Sequence, residues 1–294
     1  MGSRRAGLSL AVGLALTVLS GCATPASAPS EPDASVGTVA SAAPVPSPEP
    51  ASPDLLNLWR VTGAEGESEE TWLRIDDGRF QLWRGPGMVD GEWAGTASRL
   101  LASPTGYIGQ LDGGTPDLTI DWFTGLLEYR RTDAGWELLD AAGDLVATLS
   151  IDGAPTPNPS ASDTYAQAPV VTEEGRAALG EGPEPLPASV TPARAQDLPG
   201  RWVPAGATYA SAPFVVVEDD GTWSGSDGCN GGRGRWAVLD GGRLLTTSGS
   251  TTLIGCEGAP VPAWVGWAEH AGFDGEVLVL FGPDGTEAGR LQRG

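Results

Sequence analysis

Phe214-Val215-Val216-Val217, Glu218-Asp219-Asp220-Gly221 and Thr222-Trp223-Ser224 follow one another without a break, and their order decides the fold. A β-branched and aromatic run packs well on a pleated surface, and an acidic pair closed by glycine is turn chemistry. Together the three pieces predict a β-hairpin. The same order stands 143 residues earlier, in Trp72-Leu73-Arg74-Ile75, Asp76-Asp77-Gly78 and Arg79-Phe80-Gln81-Leu82-Trp83. A further hairpin is expected from Val277–Phe281, the turn Pro283-Asp284-Gly285 and Ala288–Leu291.

The offset extends beyond the hairpin. Asp54-Leu55-x-x-x-Trp59 falls on Asp197-Leu198-x-x-x-Trp202, Gly85 on Gly228, and Gly91-x-Trp93-Ala94 on Gly234-x-Trp236-Ala237. Without a gap, 54–94 and 197–237 share 13 of 41 positions, where composition alone gives roughly four. Small gaps bring Arg99-Leu100-Leu101 onto Arg243-Leu244-Leu245 and Ile108-Gly109 onto Ile254-Gly255. The chain is therefore a tandem duplication with modules at 54–151 and 197–293. Residues 152–196 carry eight prolines and are expected to be a linker long enough for the modules to move independently, with room for a short helix at Glu173–Leu179. Each module is expected to be mainly β, a small barrel or sandwich with at most one short helix. In the second module that helix is placed at Pro262–His270, with Trp264, Val265 and Ala268 on one face.

The N-terminal segment has a different character. Arg4-Arg5, the apolar run Ala6–Leu19 and then Leu19-Ser20-Gly21-Cys22 make 1–21 a signal peptide, because fourteen apolar residues suit such a segment and are too few to span a bilayer. The small residues before Cys22 resemble a bacterial lipobox. That resemblance implies that Cys22 is lipidated and becomes the mature N terminus, anchored to the cell membrane on its extracytoplasmic side; two acyl chains anchor stably where one does not. The arginine pair also hints at twin-arginine export, but the rest of that pattern is absent. Residues 22–53, rich in Ala, Ser and Pro, are expected to be an extended tether.

Composition narrows the function. All 17 basic residues are arginine, against 38 acidic ones, for a net charge of -21. Such a chain is not drawn to nucleic acid by charge. One histidine, His270, excludes a multi-histidine metal site and leaves a single candidate base for Ser-His or Cys-His chemistry. No catalytic set, metal site or cofactor is expected. Gly228-x-x-Gly231-Gly232-x-Gly234 is glycine-rich, but it leads into the strand-like Arg235–Leu239, whereas a phosphate loop opens a helix. Arg233 and Arg235 remain candidates for an anion. Asp76-Asp77 and Asp219-Asp220 are assigned to turns. Trp59, Trp202, Trp93 and Trp236 recur at fixed positions and are assigned to the cores; Trp83, Trp122, Trp264 and Trp267 are the surface candidates for stacking a ligand. His270 is expected to face solvent at the helix end.

Cys229 and Cys256 lie in the second module, where the first has Pro86 and Gln110. Their joint absence from the first copy and the exported location point to one disulfide, with a reactive thiol or metal pair as the competitor. Closing a loop of this size stabilises a small domain by about 3.5 kcal/mol. With these residues in place, Leu198-Pro199-Gly200-Arg201-Trp202, Gly228-Cys229-Asn230, Gly234-Arg235-Trp236 and Thr252-Leu253-Ile254-Gly255-Cys256 together resemble the META, or HslJ-like, domain. Ile254 stands where that family often has Met, and the first module resembles a diverged copy. The resemblance implies a compact β-barrel-like fold in exported or lipid-anchored proteins linked to stress or drug tolerance, with Trp202, Gly228, Cys229, Asn230, Gly234, Trp236, Thr252 and Cys256 as motif residues. The expected role is non-catalytic, in envelope binding or stress tolerance. Its partners are the membrane, through the lipid, and an unknown glycan or protein ligand; a hydrolase of envelope material using His270, Asp219 and Asp220 is the alternative.

Overall fold

The computed structural model describes residues 49–84, 87–109, 118–255 and 257–294. The signal segment 1–21, the tether as far as 48, and the expectations resting on Cys22, Gly85, Pro86, Gln110 and Cys256 lie outside the described residues. The fold is mainly β, as the hairpin pattern requires.

The first module is a closed antiparallel barrel of eight strands: β1 (Leu58–Thr62), β2 (Trp72–Ile75), β3 (Arg79–Arg84), β4 (Gly87–Gly95), β5 (Arg99–Gly109), β6 (Leu126–Thr132), β7 (Gly135–Leu139) and β8 (Leu145–Ser150). A single turn of helix, α1 (Asp121–Thr124), sits between β5 and β6. Closure comes from β8 returning to β1, with Arg60 opposite Ser150. After the linker helix α2 (Glu173–Gly180) and the two-residue β9 (Thr191–Pro192) comes the second module. It runs β10 (Gly200–Pro204), β11 (Phe214–Val217), β12 (Thr222–Ser226), β13 (Gly231–Val238), β14 (Leu244–Ser248), α3 (Val261–Trp267), β15 (His270–Asp274), β16 (Val277–Phe281) and β17 (Glu287–Arg293). These strands and β9 form one nine-stranded sheet in which β17 returns to β10, while β14 and β15 meet only at the bridge Arg243–His270. Strand for strand, five strands, a helix and three strands repeat.

The local contacts repeat with the sequence. The Trp93 N–H donates to the Gly78 carbonyl at 3.1 Å, and the Trp236 N–H to the Gly221 carbonyl at 2.9 Å, each tying the acidic turn to the next strand. Gly78 and Gly221 take φ of 65° and 78° there, which an L side chain rarely tolerates. The Trp59 indole N–H donates to the Leu55 carbonyl at 2.8 Å, and the Trp202 indole to Leu198 at 2.7 Å. Both rings are buried, so each indole keeps a partner that burial would otherwise remove. A Cβ at Gly91 would meet the Phe80 ring and the Ser103 carbonyl; one at Gly234 would meet Trp223 and the Thr247 carbonyl. The duplicated glycine is a packing requirement.

The linker differs from expectation. Its helix forms, capped by the Thr172 hydroxyl, which accepts from the Gly175 N–H at 3.0 Å. The rest is spread over the barrels: Ala161, Tyr165 and Ala166 cover Trp72, Trp83 and Met88 on the first, and β9 pairs with β15 on the second. The barrels also touch directly through equivalent strands. Ser103 and Thr247 hydroxyls share a buried hydrogen bond of 2.6 Å, the Ser248 N–H donates to Glu92 Oε2 at 3.0 Å, and the Ser250 hydroxyl to the Thr105 carbonyl at 2.9 Å. The described residues of both barrels fall within one compact unit.

Candidate functional site

Four of the motif residues, Gly228, Cys229, Asn230 and Thr252, meet at one loop of the second barrel, while Trp202 and Trp236 lie in its core. Asp227 organises the loop: Oδ1 accepts from the N–H groups of Cys229 at 2.8 Å and Asn230 at 2.6 Å, and Oδ2 from the Asn230 side-chain amide at 2.8 Å. The bond from the Asn230 side chain, helped by those from the backbone, holds the Asp227 carboxyl below its usual range. Asn230 then reaches the facing segment. Its amide donates to the Ile254 carbonyl at 2.8 Å, and its oxygen accepts from the Ile254 N–H at 2.7 Å and the Thr252 hydroxyl at 2.7 Å. Gly228 has φ of 102°, and a Cβ there would run into Ser211. Asn230 and Thr252 act as a clamp in the fold, and the clamp brings the segment leading to Cys256 against the loop that carries Cys229.

Between this clamped segment and α3 lies a groove of about 470 Å³, within the usual range for small-molecule sites. Most of its lining surface is apolar, from Trp223, Leu253, Pro262, Ala263 and Trp267, while Arg233, Asp227, Asn230, Ser248, Thr251 and Thr252 are its polar members. α3 comes this close because Gly232 has no side chain; a Cβ there would lie 2.6 Å from Pro262 Cβ. Leu253 is 95% exposed and Trp267 47%, so two of the large exposed hydrophobics of the described residues line this groove. Clustered exposed apolar surface marks interaction sites, where scattered residues do not.

Several sequence expectations are corrected here. Of the four surface tryptophans, only Trp267 is exposed. Trp83 is buried under the linker residues, and Trp122 is buried beside Phe123, with its indole donating to Glu67 Oε1 at 2.8 Å. Trp264 is half-buried, its ring lying over Gly289. The helix ends at Trp267, so His270 opens β15 and is 1% exposed instead of facing solvent. Among the described residues neither imidazole nitrogen has a hydrogen-bond partner, and burial, with Arg243 adjacent, pushes the pKa down to about 4. Asp219 and Asp220 stay in their turn, with Asp220 accepting from the Thr222 N–H and hydroxyl at 2.9 and 2.6 Å. Trp59, Trp93, Trp202 and Trp236 are core, as the repeat requires. Gly231–Gly234 lie within β13, so the glycine run is strand. Arg235 is half-buried and donates to the Asp220 carbonyl at 3.4 Å. Arg233 is exposed and reaches over Gly249, where an added Cβ would lie 3.4 Å from Arg233 Cγ.

The first barrel has a wider, more polar basin of about 1100 Å³ beside Trp122, but its cation, Arg84, is already paired with Glu67 at 2.9 Å. Among the described residues no group of His, Cys, Asp and Glu is arranged to hold a metal. Compared with family models, curated proteins and solved structures, the chain finds no match in any of the three. The groove escaped the sequence-level search for chemistry because its makers are glycines and a side-chain clamp. A trace of it stands in the repeat alignment, where Gly225 and Gly232 replace Leu82 and Val89.

Proposed function

We propose that this is an exported, lipid-anchored, non-catalytic binding protein of the cell envelope. It is tethered through Cys22 and built from two META-like modules, of which the second carries the ligand site. The groove between α3 and the Asn230-clamped segment is the observation that supports this role. Its lining is apolar with few polar groups, the composition of a binding pocket rather than of an acid/base centre. Its only lining carboxylate, Asp227, has both oxygens engaged by its own loop. The first barrel then serves as a support pressed against the groove's outer wall at Ser248 and Ser250. A Cys229–Cys256 disulfide, pinning the same wall, belongs to this proposal.

Two measurements test it. Cys22→Ser should move the protein from the membrane fraction to the soluble fraction, or leave it as precursor; an unchanged membrane-bound, processed form would defeat the anchor. With that soluble full chain, a neutral solvatochromic dye such as Nile red should brighten on binding, and Leu253→Ser with Trp267→Ala should abolish most of the signal. Equal brightening by the double variant would remove the groove as the binding site. The exposed Trp267 indole also suits a sugar face, so displacement of the dye by soluble envelope glycans would assign the ligand to that class.

A further inference from the structure

The two barrels provide a charge comparison at one position. Arg233 of β13 and Asp90 of β4 are equivalent by the 143-residue offset and by register: Ser224 faces Arg233, and Gln81 faces Asp90. In the first barrel Asp90 is satisfied. It pairs with Arg79 and accepts from Gln81 Nε2 at 3.1 Å. In the second barrel the sign is reversed and no such neutralisation exists among the described residues. The other arginines of that barrel are engaged: Arg201 lies over Phe214 at 3.8 Å, Arg243 pairs with Glu269 at 2.5 Å, Arg290 with Asp274 at 2.9 Å, and Arg293 donates to Pro199 and Asp197 carbonyls at 2.6 and 2.7 Å. Arg235 donates to the Asp220 carbonyl. Arg233 is the arginine of that barrel whose side chain makes no ion pair, hydrogen bond or ring contact within the described residues, although the chain carries 38 acidic side chains. It stands at the mouth of the apolar groove.

We propose that the groove binds a single-chain amphiphile with a carboxylate head, of the fatty-acid class, its chain along Trp223, Pro262 and Trp267 and its head on Arg233. This rests on the binding role above and specifies its ligand. An apolar wall accepts a chain of any head group, so Arg233 is what gives selectivity. A guanidinium offers a planar fork that matches a carboxylate, and a charge-assisted bond at the edge of an apolar surface is stronger than the same bond in open water. The net charge of -21 works the other way, since it repels anions from every part of the surface that lacks a free cation.

The test is calorimetric titration of the full chain carrying Cys22→Ser with dodecanoate and dodecyltrimethylammonium, each below its critical micelle concentration, and with dodecanol below its solubility limit. Dodecanoate should bind tightest and the ammonium weakest. Arg233→Gln should weaken dodecanoate about tenfold and leave dodecanol unchanged. Arg233→Lys should keep part of the preference, and Trp267→Ala should weaken dodecanoate and dodecanol alike. Position 233 is exposed, so these variants should fold as the parent does. Dodecanol binding as tightly as dodecanoate, or an indifferent Arg233→Gln, would overturn head-group selection while the groove remained a binding site. Dodecanoate binding that ignores Trp267→Ala would place the ligand elsewhere and overturn the proposal. Binding of none of the three probes would remove both this ligand class and the binding role assigned to the groove.

Discussion

β4 and β5 of the first barrel and β13 and β14 of the second descend from the same hairpin, yet they end differently. In the first, the ladder runs on until Gly87 faces Gly109, and the inward positions Leu82 and Val89 are fully buried. In the second, β14 stops at Ser248, the inward positions are Gly225 and Gly232, and the chain leaves as the Asn230-clamped segment. The first barrel closes that end with side chains. The second lets a helix settle onto glycine and leaves a groove beside it. Closure at the next seam differs too: β5 and β6 pair at Arg99–Glu128, Leu100–Leu127 and Leu101–Leu126, where β14 and β15 share a single bridge. One copy has kept packing, and the other has given some of it up for a surface. The closed barrel can then support the open one through the contacts between them.

If the open barrel depends on a cross-link that the closed one lacks, reductant should separate them. The proposed Cys229–Cys256 bond would close a loop whose loss removes about 3.5 kcal/mol in the chain-entropy picture. That is a large share of the stability of a domain of this size. Urea unfolding followed with and without reductant should show the second barrel weakened by that amount and the first unmoved. Because the barrels share a buried hydrogen bond, a single merged transition that shifts as a whole would show that the interface couples them. No shift at all would mean that the bond is absent.

A second contrast lies at the seam. Glu128 of β6 faces Arg99 and pairs with it at 2.8 Å; at the equivalent place on β15, His270 faces Arg243, which pairs with Glu269 instead. The unfolded histidine takes up a proton below about pH 6.5. The folded one resists until about 4, because burial and the neighbouring Arg243 disfavour the cation. Between those values the unfolded state binds more protons, so stability contributed by the neutral imidazole is intact above about pH 6.5 and is lost as the pH falls through the window, by up to about 3 kcal/mol. His270→Leu should remove that portion of the pH dependence while the remaining acid sensitivity from carboxylates persists. Parallel curves for parent and variant from pH 7 to pH 4 would refute the assignment.

The sequence made these contrasts legible to different depths. The hairpin grammar and the 143-residue offset were enough for two β modules, the turns at Asp76-Asp77 and Asp219-Asp220, and the four core tryptophans, because each is a local or repeated signal. Trp83 and Trp122 were misplaced because lacking a matched tryptophan says nothing about what covers a residue; the cover is the linker in one case and Phe123 with Glu67 in the other. The helical pattern of 262–270 does not show that the helix stops at Trp267 and that the chain turns into β15 at His270, which buries the imidazole. Prolines speak for a chain without regular packing, but they do not say where the linker's small apolar residues settle; Ala161 and Ala166 lie over the first barrel beside Tyr165. The groove depends on what is missing from Gly225 and Gly232, and absent side chains carry no chemistry for a motif search to find.

The smallest expected effect concerns the support itself. Glu92 of β4 accepts the Ser248 N–H at 3.0 Å, at the point where β14 ends and the groove wall begins. Its equivalent in the second barrel, Arg235, makes no matching contribution to the first; it donates to Asp220 within its own barrel. The asymmetry is what the ladders require. β5 continues to Gly109 against β4 and needs no outside partner, whereas the β14 ladder ends at Ser248, with one last bond from the Gly249 N–H to the Arg233 carbonyl at 2.6 Å. Glu92→Ala leaves that N–H without its acceptor, at a cost of about 1 kcal/mol. Such a loss should speed amide hydrogen exchange across 248–252 about fivefold while the strands of the first barrel keep their protection. Arg235→Ala should produce no corresponding loosening of 103–107. If Glu92→Ala left exchange at 248–252 unchanged, the first barrel would be a neighbour of the groove and not its support, and the two copies would differ only in what they bind.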